Sequence, residues 1–74
     1  MQTDSDEYVV VYRFESEQKM QVAVSCLHGN EGGRVVAYDS QERKVLVLHK
    51  HARCAERLFS SAKLRFEEKQ LIAA

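Results

Sequence analysis

The sequence predicts a small α+β domain, a two-layer β-α-β-β-α sandwich with two helices on one face of a three-stranded mixed sheet. Residues 8–14 are rich in β-branched and aromatic side chains, which is typical of a strand. Two more apolar segments, 34–38 and 44–50, flank a short polar turn, and residues 52–68 repeat apolar side chains at helical spacing. The 74 residues suffice for one domain, 1–74, near the lower size limit of a self-sufficient core.

The first predicted strand, YVVVYRF, is apolar on both sides. One face carries Tyr8, Val10, Tyr12 and Phe14, and the other carries Val9, Val11 and Arg13. Such a strand lies at the centre of a sheet, or another molecule covers one of its sides. The segment KVLVLHK at 44–50 has the same property, so we expect a second copy or another protein on the face that the helices leave open.

Residues 17–27 fit both helical and alternating spacing of apolar side chains. A hairpin would need a turn within residues 15–19, ESEQK, which contain no Gly, Asn, Asp or Pro. A helix would have Ser16 as its N-cap, Glu17 in its first turn and Gly29 as a left-handed terminator. We therefore predict a helix, with a strand as the alternative.

The second half of the chain is predicted to form a hairpin and a helix. Residues 28–33, HGNEGG, contain all three glycines and indicate a loop. The segments 34–38 and 44–50 are close enough to pair as an antiparallel hairpin. A right-handed crossover from the first strand would then make that strand parallel to a neighbour.

The predicted second helix runs from about residue 52 to 68. Its apolar stripe consists of Ala55, Leu58, Phe59, Ala62 and Phe66, with Cys54 at the edge. We expect residues 71–74 to fray and the acidic N-terminus, 1–7, to be flexible.

Charge is segregated along the chain, although 11 basic and 11 acidic residues cancel overall. Residues 1–33 carry six acidic against two basic side chains, and residues 34–65 carry eight basic against three acidic ones. A dipolar molecule of this kind favours recognition of a charged partner over chemistry.

The composition also indicates a compartment. No run of about 18 apolar residues exists to span a membrane, and the acidic N-terminus does not resemble a signal peptide. We therefore expect a cytoplasmic protein in which Cys26 and Cys54 are reduced thiols.

Metal binding and catalysis are not expected. The clusters Cys26-x-His28 and His49-x-His51-x-x-Cys54 lack the spacing of structural zinc sites. Cys54 lies near His51, but it fits the apolar stripe of a helix better than the position of a nucleophile. The loop HGNEGG precedes a strand and has no phosphate-loop pattern. We predict no enzyme, no cofactor and no bound metal.

The stretch HKHARCAER is the best candidate for a binding site. It places several basic residues at the start of the second helix, where cations oppose the helix dipole. Free backbone N–H groups and basic side chains together would bind an anionic group. The predicted binding residues are Lys50, Arg53, Arg57, His49, His51, Arg43 and Lys44. We predict a non-catalytic protein-binding or regulatory module that contacts an acidic protein partner.

A nucleic-acid-binding protein is the alternative, because the same basic surface could contact phosphates. Tyr8, Tyr12 and Tyr38 would then offer surfaces for base stacking. Acidic residues flank the first strand and would repel nucleic acid from the sheet, so a protein partner is preferred.

Self-association is the first testable prediction. A two-layer monomer covers one apolar face of its central strands, so we expect a homodimer or a tight complex with another protein. Light scattering on the purified protein at micromolar concentration measures the mass. A strictly monomeric mass without a co-purifying protein would contradict the prediction.

Overall fold

A computed structural model describes residues 8–29 and 35–73 as an α+β fold of two helices and a four-stranded sheet. The elements are β1 (Tyr8–Phe14), α1 (Glu17–His28), β2 (Val35–Asp39), β3 (Lys44–Leu48), α2 (Ala52–Ser61) and β4 (Phe66–Ala73), with a 3-10 turn at His49–His51 before α2. The segment 1–7, predicted to be flexible, residues 30–33 of the predicted loop and residue 34, the predicted start of a strand, lie outside the described residues.

The sheet is antiparallel, with the strand order β2-β3-β1-β4. The α+β class is confirmed, but the predicted three-stranded mixed sheet is wrong. β1 is antiparallel to both of its neighbours because β3 lies between β1 and the parallel strand β2. This order, with both helices on one face, is the split β-α-β arrangement, also called ferredoxin-like. β1 occupies a central position in the sheet, which is one of the two alternatives that its apolar faces indicated.

α1 confirms the helical alternative for residues 17–27. The Ser16 hydroxyl oxygen accepts a hydrogen bond from the Lys19 N–H at 3.2 Å, which caps the helix. Gly29 ends the helix with a φ of −82°, so the predicted left-handed terminator is wrong. The buried side of α1 consists of Met20, Ala23, Val24 and Leu27.

β2 and β3 form the predicted hairpin. The Asp39 carboxylate accepts hydrogen bonds from the N–H groups of Gln41 (3.0 Å) and Glu42 (3.3 Å), which stabilises the turn. Arg43 completes the turn with a φ of 58°. β3 ends at Leu48, two residues earlier than predicted, because the chain then enters the 3-10 turn.

α2 ends at Ser61, so the predicted continuation to residue 68 is wrong. The Leu64 N–H donates to the Phe59 carbonyl at 2.8 Å, and the Lys63 N–H donates to the Ser60 carbonyl at 3.0 Å. Lys63 has a φ of 59°, the left-handed conformation that this helix-ending motif requires. Glycine usually occupies that position, and its absence concealed the helix end.

Residues 66–73 form strand β4, whereas the sequence-based prediction has a helix up to residue 68 and a frayed end from residue 71. β4 pairs with β1 along its whole length, from Tyr8 opposite Ala73 to Phe14 opposite Phe66. Phe66 still joins the core, but from a strand, and its ring lies 4.9 Å from that of Tyr12. Burial of the Phe66 ring and pairing with β1 therefore make residues 66–73 a strand.

The core lies between the helices and one face of the sheet. It consists of Val10, Tyr12, Phe14, Met20, Ala23, Val24, Leu27, Val45, Val47, Ala52, Ala55 and Phe59. The opposite face of the sheet, called the open face below, carries Val9 and Val11, whose cross-strand partners are Leu48 and Leu46. Both valines are buried, with 5% and 8% of their surface exposed, so the open face exposes less apolar surface than the alternating pattern suggested.

Replacing Lys63 by glycine tests the helix end. A residue with a side chain pays about 1 to 2 kcal/mol in the left-handed conformation, which glycine avoids. Glycine also loses more backbone entropy than lysine on folding, and this loss offsets part of the gain. We therefore expect Lys63→Gly to stabilise the fold by about 0.5 to 1 kcal/mol. The melting temperature should then rise by roughly 2 to 8 °C.

Ser60→Gly, within α2, is the matched control and should destabilise the fold by about 0.5 kcal/mol. A lower melting temperature for Lys63→Gly would contradict the assigned helix end.

Candidate binding groove

The corner between β3 and α2 brings part of the predicted basic cluster to a cavity of about 720 Å³. The cavity lies between the first two turns of α2 and the neighbouring strands β1 and β4. Its lining contains the apolar side chains Val10, Ala52 and Leu71 and the polar side chains His49, Lys50, Arg53, Glu56 and Lys69. We call this cavity with its lining the basic groove.

The groove exists because the helices do not cover the second half of β4. Leu71 lies opposite the core residue Val10, so its side chain is on the helix side of the sheet. It nevertheless remains 55% exposed. An apolar strip of β4 is therefore open beside the basic start of α2.

A carboxylate on the wall of the groove is held in a hydrogen-bonded network. The Tyr12 hydroxyl donates to Glu56 Oε2 at 2.8 Å, and Lys69 Nζ lies 2.6 Å from the same oxygen. Tyr12 comes from β1, Glu56 from α2 and Lys69 from β4. The network therefore ties three elements together under the groove.

The network shifts the pKa of both acids. Burial, assisted by the Glu56 carboxylate, raises the pKa of Tyr12 far above its ordinary value, so the phenol stays protonated. Desolvation disfavours the charged form of Glu56, but the hydrogen bonds from Lys69 and Tyr12 outweigh it and lower its pKa. Glu56 is thus ionised and already has two partners.

The start of α2 has unusual charges for a helix N-terminus. His51 occupies the N-cap position without a side-chain cap, and the first turn contains no acidic residue. Arg53 lies in that turn, where a cation opposes the helix dipole. An anionic group in the groove would compensate for the missing side-chain cap and for the unfavourable charge of Arg53.

The structure divides the seven predicted binding residues into separate groups. His49, Lys50 and Arg53 line the groove, and His51 is half-buried at the N-cap. Arg57 is exposed one helical turn beyond Arg53 and is not part of the lining.

The other two predicted residues, Arg43 and Lys44, lie at the opposite end of β3, roughly 13 Å of strand away. Arg43 Nε donates to the Phe14 carbonyl at 3.2 Å, and the Phe14 N–H donates to the Arg43 carbonyl at 2.9 Å. These contacts give Arg43 a structural role in fastening the hairpin to β1.

Sequence reasoning missed the contribution of β4 to the groove. The sequence-based prediction ends the helix at residue 68 and lets residues 71–74 fray, so it gives Lys69 and Leu71 no position beside α2. The spacing of Phe66 and Leu71 carries no alternation that would have revealed a strand.

Cys54 and Cys26 lie half-buried on α2 and α1 and do not bridge to each other. Within residues 8–29 and 35–73, no group of three or more His, Cys, Asp or Glu side chains is arranged to hold a metal ion. None of the helices in the same ranges has the length and hydropathy needed to cross a membrane.

Comparison of the chain with models of protein families, with curated proteins and with solved structures finds no significant match.

Removing the network below the groove should lower stability in a pH-dependent manner. Tyr12→Phe keeps the ring but removes the hydrogen bond to Glu56, and we expect a loss of about 1 kcal/mol. Glu56→Gln removes a carboxylate whose pKa is lowered by folding. Its stabilising effect is present above the unfolded pKa of about 4.3 and is lost as pH falls through the lower folded value.

Urea denaturation of wild type and Glu56→Gln at neutral and acidic pH measures the difference in unfolding free energy. The difference should shrink as the solution becomes acidic, and Glu42→Gln in the exposed turn is the surface control. A difference for Glu56→Gln that is constant with pH would contradict the network.

Proposed function

We propose that this protein is a non-catalytic protein-binding or regulatory module that holds an acidic segment of a partner protein in the basic groove. The observation that carries the proposal is the composition of the groove. Lys50, Arg53 and Lys69 surround apolar side chains in a cavity large enough for several side chains of a ligand.

The charges of the groove favour an anionic ligand. Three cationic side chains lie in the lining against one carboxylate, Glu56. Because Glu56 already accepts hydrogen bonds from Tyr12 and Lys69, it repels an approaching anion less than an isolated carboxylate would. The basic wall would speed association with an acidic surface and select against basic ones.

The apolar part of the lining favours a protein over a purely ionic ligand. Leu71, which is 55% exposed beside the charged side chains, gives a partner apolar surface to bury between the charged contacts. Burial of such surface supplies affinity, while the charges supply orientation and specificity.

The nucleic-acid alternative has fewer aromatic surfaces available than the sequence suggested. Tyr12 is fully buried. Tyr8 and Tyr38 lie on the helix side of the sheet, since their positions alternate in phase with Val10 and Val45, and of these two Tyr38 is 51% exposed. The open-face positions of β1 and β3 carry no aromatic residue. A protein partner is therefore the better proposal.

Self-association through the open face, in a cytoplasmic protein, is the further part of this proposal. Leu46 and Leu48 on β3 remain partly exposed there, and Ile72 on β4 is 38% exposed. Val9 of β1 lies between Leu48 and Ile72, so an apolar row runs across three strands, which a second copy could cover.

Charge reversal at two neighbouring arginines tests the groove. The probe is a fluorescein-labelled peptide of glutamate and valine, and its affinity is measured by fluorescence anisotropy. Arg53→Glu reverses a charge in the groove and should weaken binding about tenfold. Arg57→Glu makes the same change one turn away, outside the lining, and should have less than about a threefold effect.

Equal losses for the two variants would assign the binding to overall charge and would reject the groove as the site. Binding of an oligothymidine in place of the peptide, with a steep loss of affinity in salt, would favour the nucleic-acid alternative.

A further inference from the structure

The second half of β4 is an exposed sheet edge without the usual protection. In the described part of the chain, β4 is the last strand of the sheet and pairs on one side, with β1. Residues 70–73 carry no charge and no proline, and Leu71 and Ile72 are 55% and 38% exposed. An edge of this kind is ready to pair with another extended chain.

The first half of the same strand is protected. A bulge opposite Arg13 and Phe14 turns two successive carboxylates, Glu67 and Glu68, towards one guanidinium. Their oxygens lie 3.7 and 3.5 Å from Arg13 Nε. Charges and a bulge are the features that discourage strand addition, so the pairing-competent edge is confined to the second half.

The two sides of this edge differ in chemistry. Lys69 and Leu71 are on the helix side, where Lys69 and Arg53 belong to the basic groove. Ile72 is on the open face, opposite Val9 of β1. A strand added to β4 would therefore place alternate side chains beside cations and beside an apolar surface.

We propose that the second half of β4 accepts an extended peptide as a fifth strand, and that the peptide alternates acidic and apolar side chains. Its acidic side chains lie on the groove side, near Arg53 and Lys69. Its apolar side chains lie on the open face, near Ile72. The backbone hydrogen bonds supply sequence-independent affinity, and the alternation supplies specificity. This inference rests on the proposed function and defines the conformation and pattern of the bound segment.

A second copy of the chain fits this edge less well than an acidic peptide. Antiparallel pairing of two β4 edges around Leu71 would place both basic grooves on the same side of the joined sheet. Arg53 and Lys69 of one copy would then face the same residues of the other copy. The repulsion between like charges opposes that dimer and favours an acidic strand.

The experiment compares labelled peptides of about eight residues by fluorescence anisotropy on the full chain. The first alternates glutamate and valine, and the second has the same composition in two blocks. We expect the alternating peptide to bind about tenfold more tightly, because the block peptide cannot place all carboxylates on one side of a strand.

Two N-methylated versions of the alternating peptide test the backbone pairing. One version carries methyl groups on the odd-numbered amides, and the other carries them on the even-numbered amides. Since the N–H groups of a strand point alternately to its two neighbours, one phase should abolish binding and the other should preserve it.

Ile72→Lys places a charge on the edge and should weaken the alternating peptide about tenfold. Val22→Lys, at a similarly exposed apolar position on α1, is the matched control and should leave the affinity unchanged. Circular dichroism of both variants establishes that they are folded.

The outcomes separate this inference from the proposed function. Acidic peptides that bind equally in either order and in both methylation phases would overturn strand addition while leaving the groove as an acidic-ligand site. Absence of binding to every peptide would overturn both. Self-association that Ile72→Lys abolishes but Leu46→Lys on the open face of β3 leaves intact, without peptide binding, would assign the edge to a second copy and overturn the inference.

Discussion

The contact on which this fold depends is the packing of Tyr12 against Phe59 and Phe66. The Tyr12 ring lies 5.3 Å from Phe59 in an edge-to-face arrangement and 4.9 Å from Phe66. Such pairs contribute about 0.5 to 1.5 kcal/mol each beyond the burial of their area. They join the central strand to the second helix and to the last strand, so three rings hold three elements of this small domain together.

The groove is a consequence of that packing. Phe59 holds the end of α2 over β1, and the turn at Lys63 returns the chain so that Phe66 enters the core from β4. Beyond Phe66, the helices no longer cover β4, which leaves Leu71 exposed beside the first turn of α2. The Tyr12 hydroxyl then reaches Glu56 at the groove wall, so the core residue also orders the charges of the site.

Several elements of the fold were predictable because their signals are local. Ser16 caps α1 through its own hydroxyl, and Asp39 organises the hairpin turn through hydrogen bonds to nearby N–H groups. The basic start of α2 was predictable for the same reason, since His49, Lys50 and Arg53 are close in sequence. The helix end at Lys63 was not predictable, because it uses a lysine in the conformation that glycine usually adopts.

By itself, the sequence determined the α+β class, the first strand, the first helix and the basic cluster before Arg53. These features follow from periodicity, capping and charge over a few neighbouring residues. Tertiary structure alone decided that residues 66–73 form a strand, although Glu, Lys, Gln, Leu and Ala are good helix formers. Pairing with β1 and burial of Phe66 exceed those small preferences, and they bring Lys69 and Leu71 to the groove from a distant part of the chain. Contacts between distant residues have no local signature in the sequence, which is why the part of the groove formed by β1 and β4 could be described only from the folded chain.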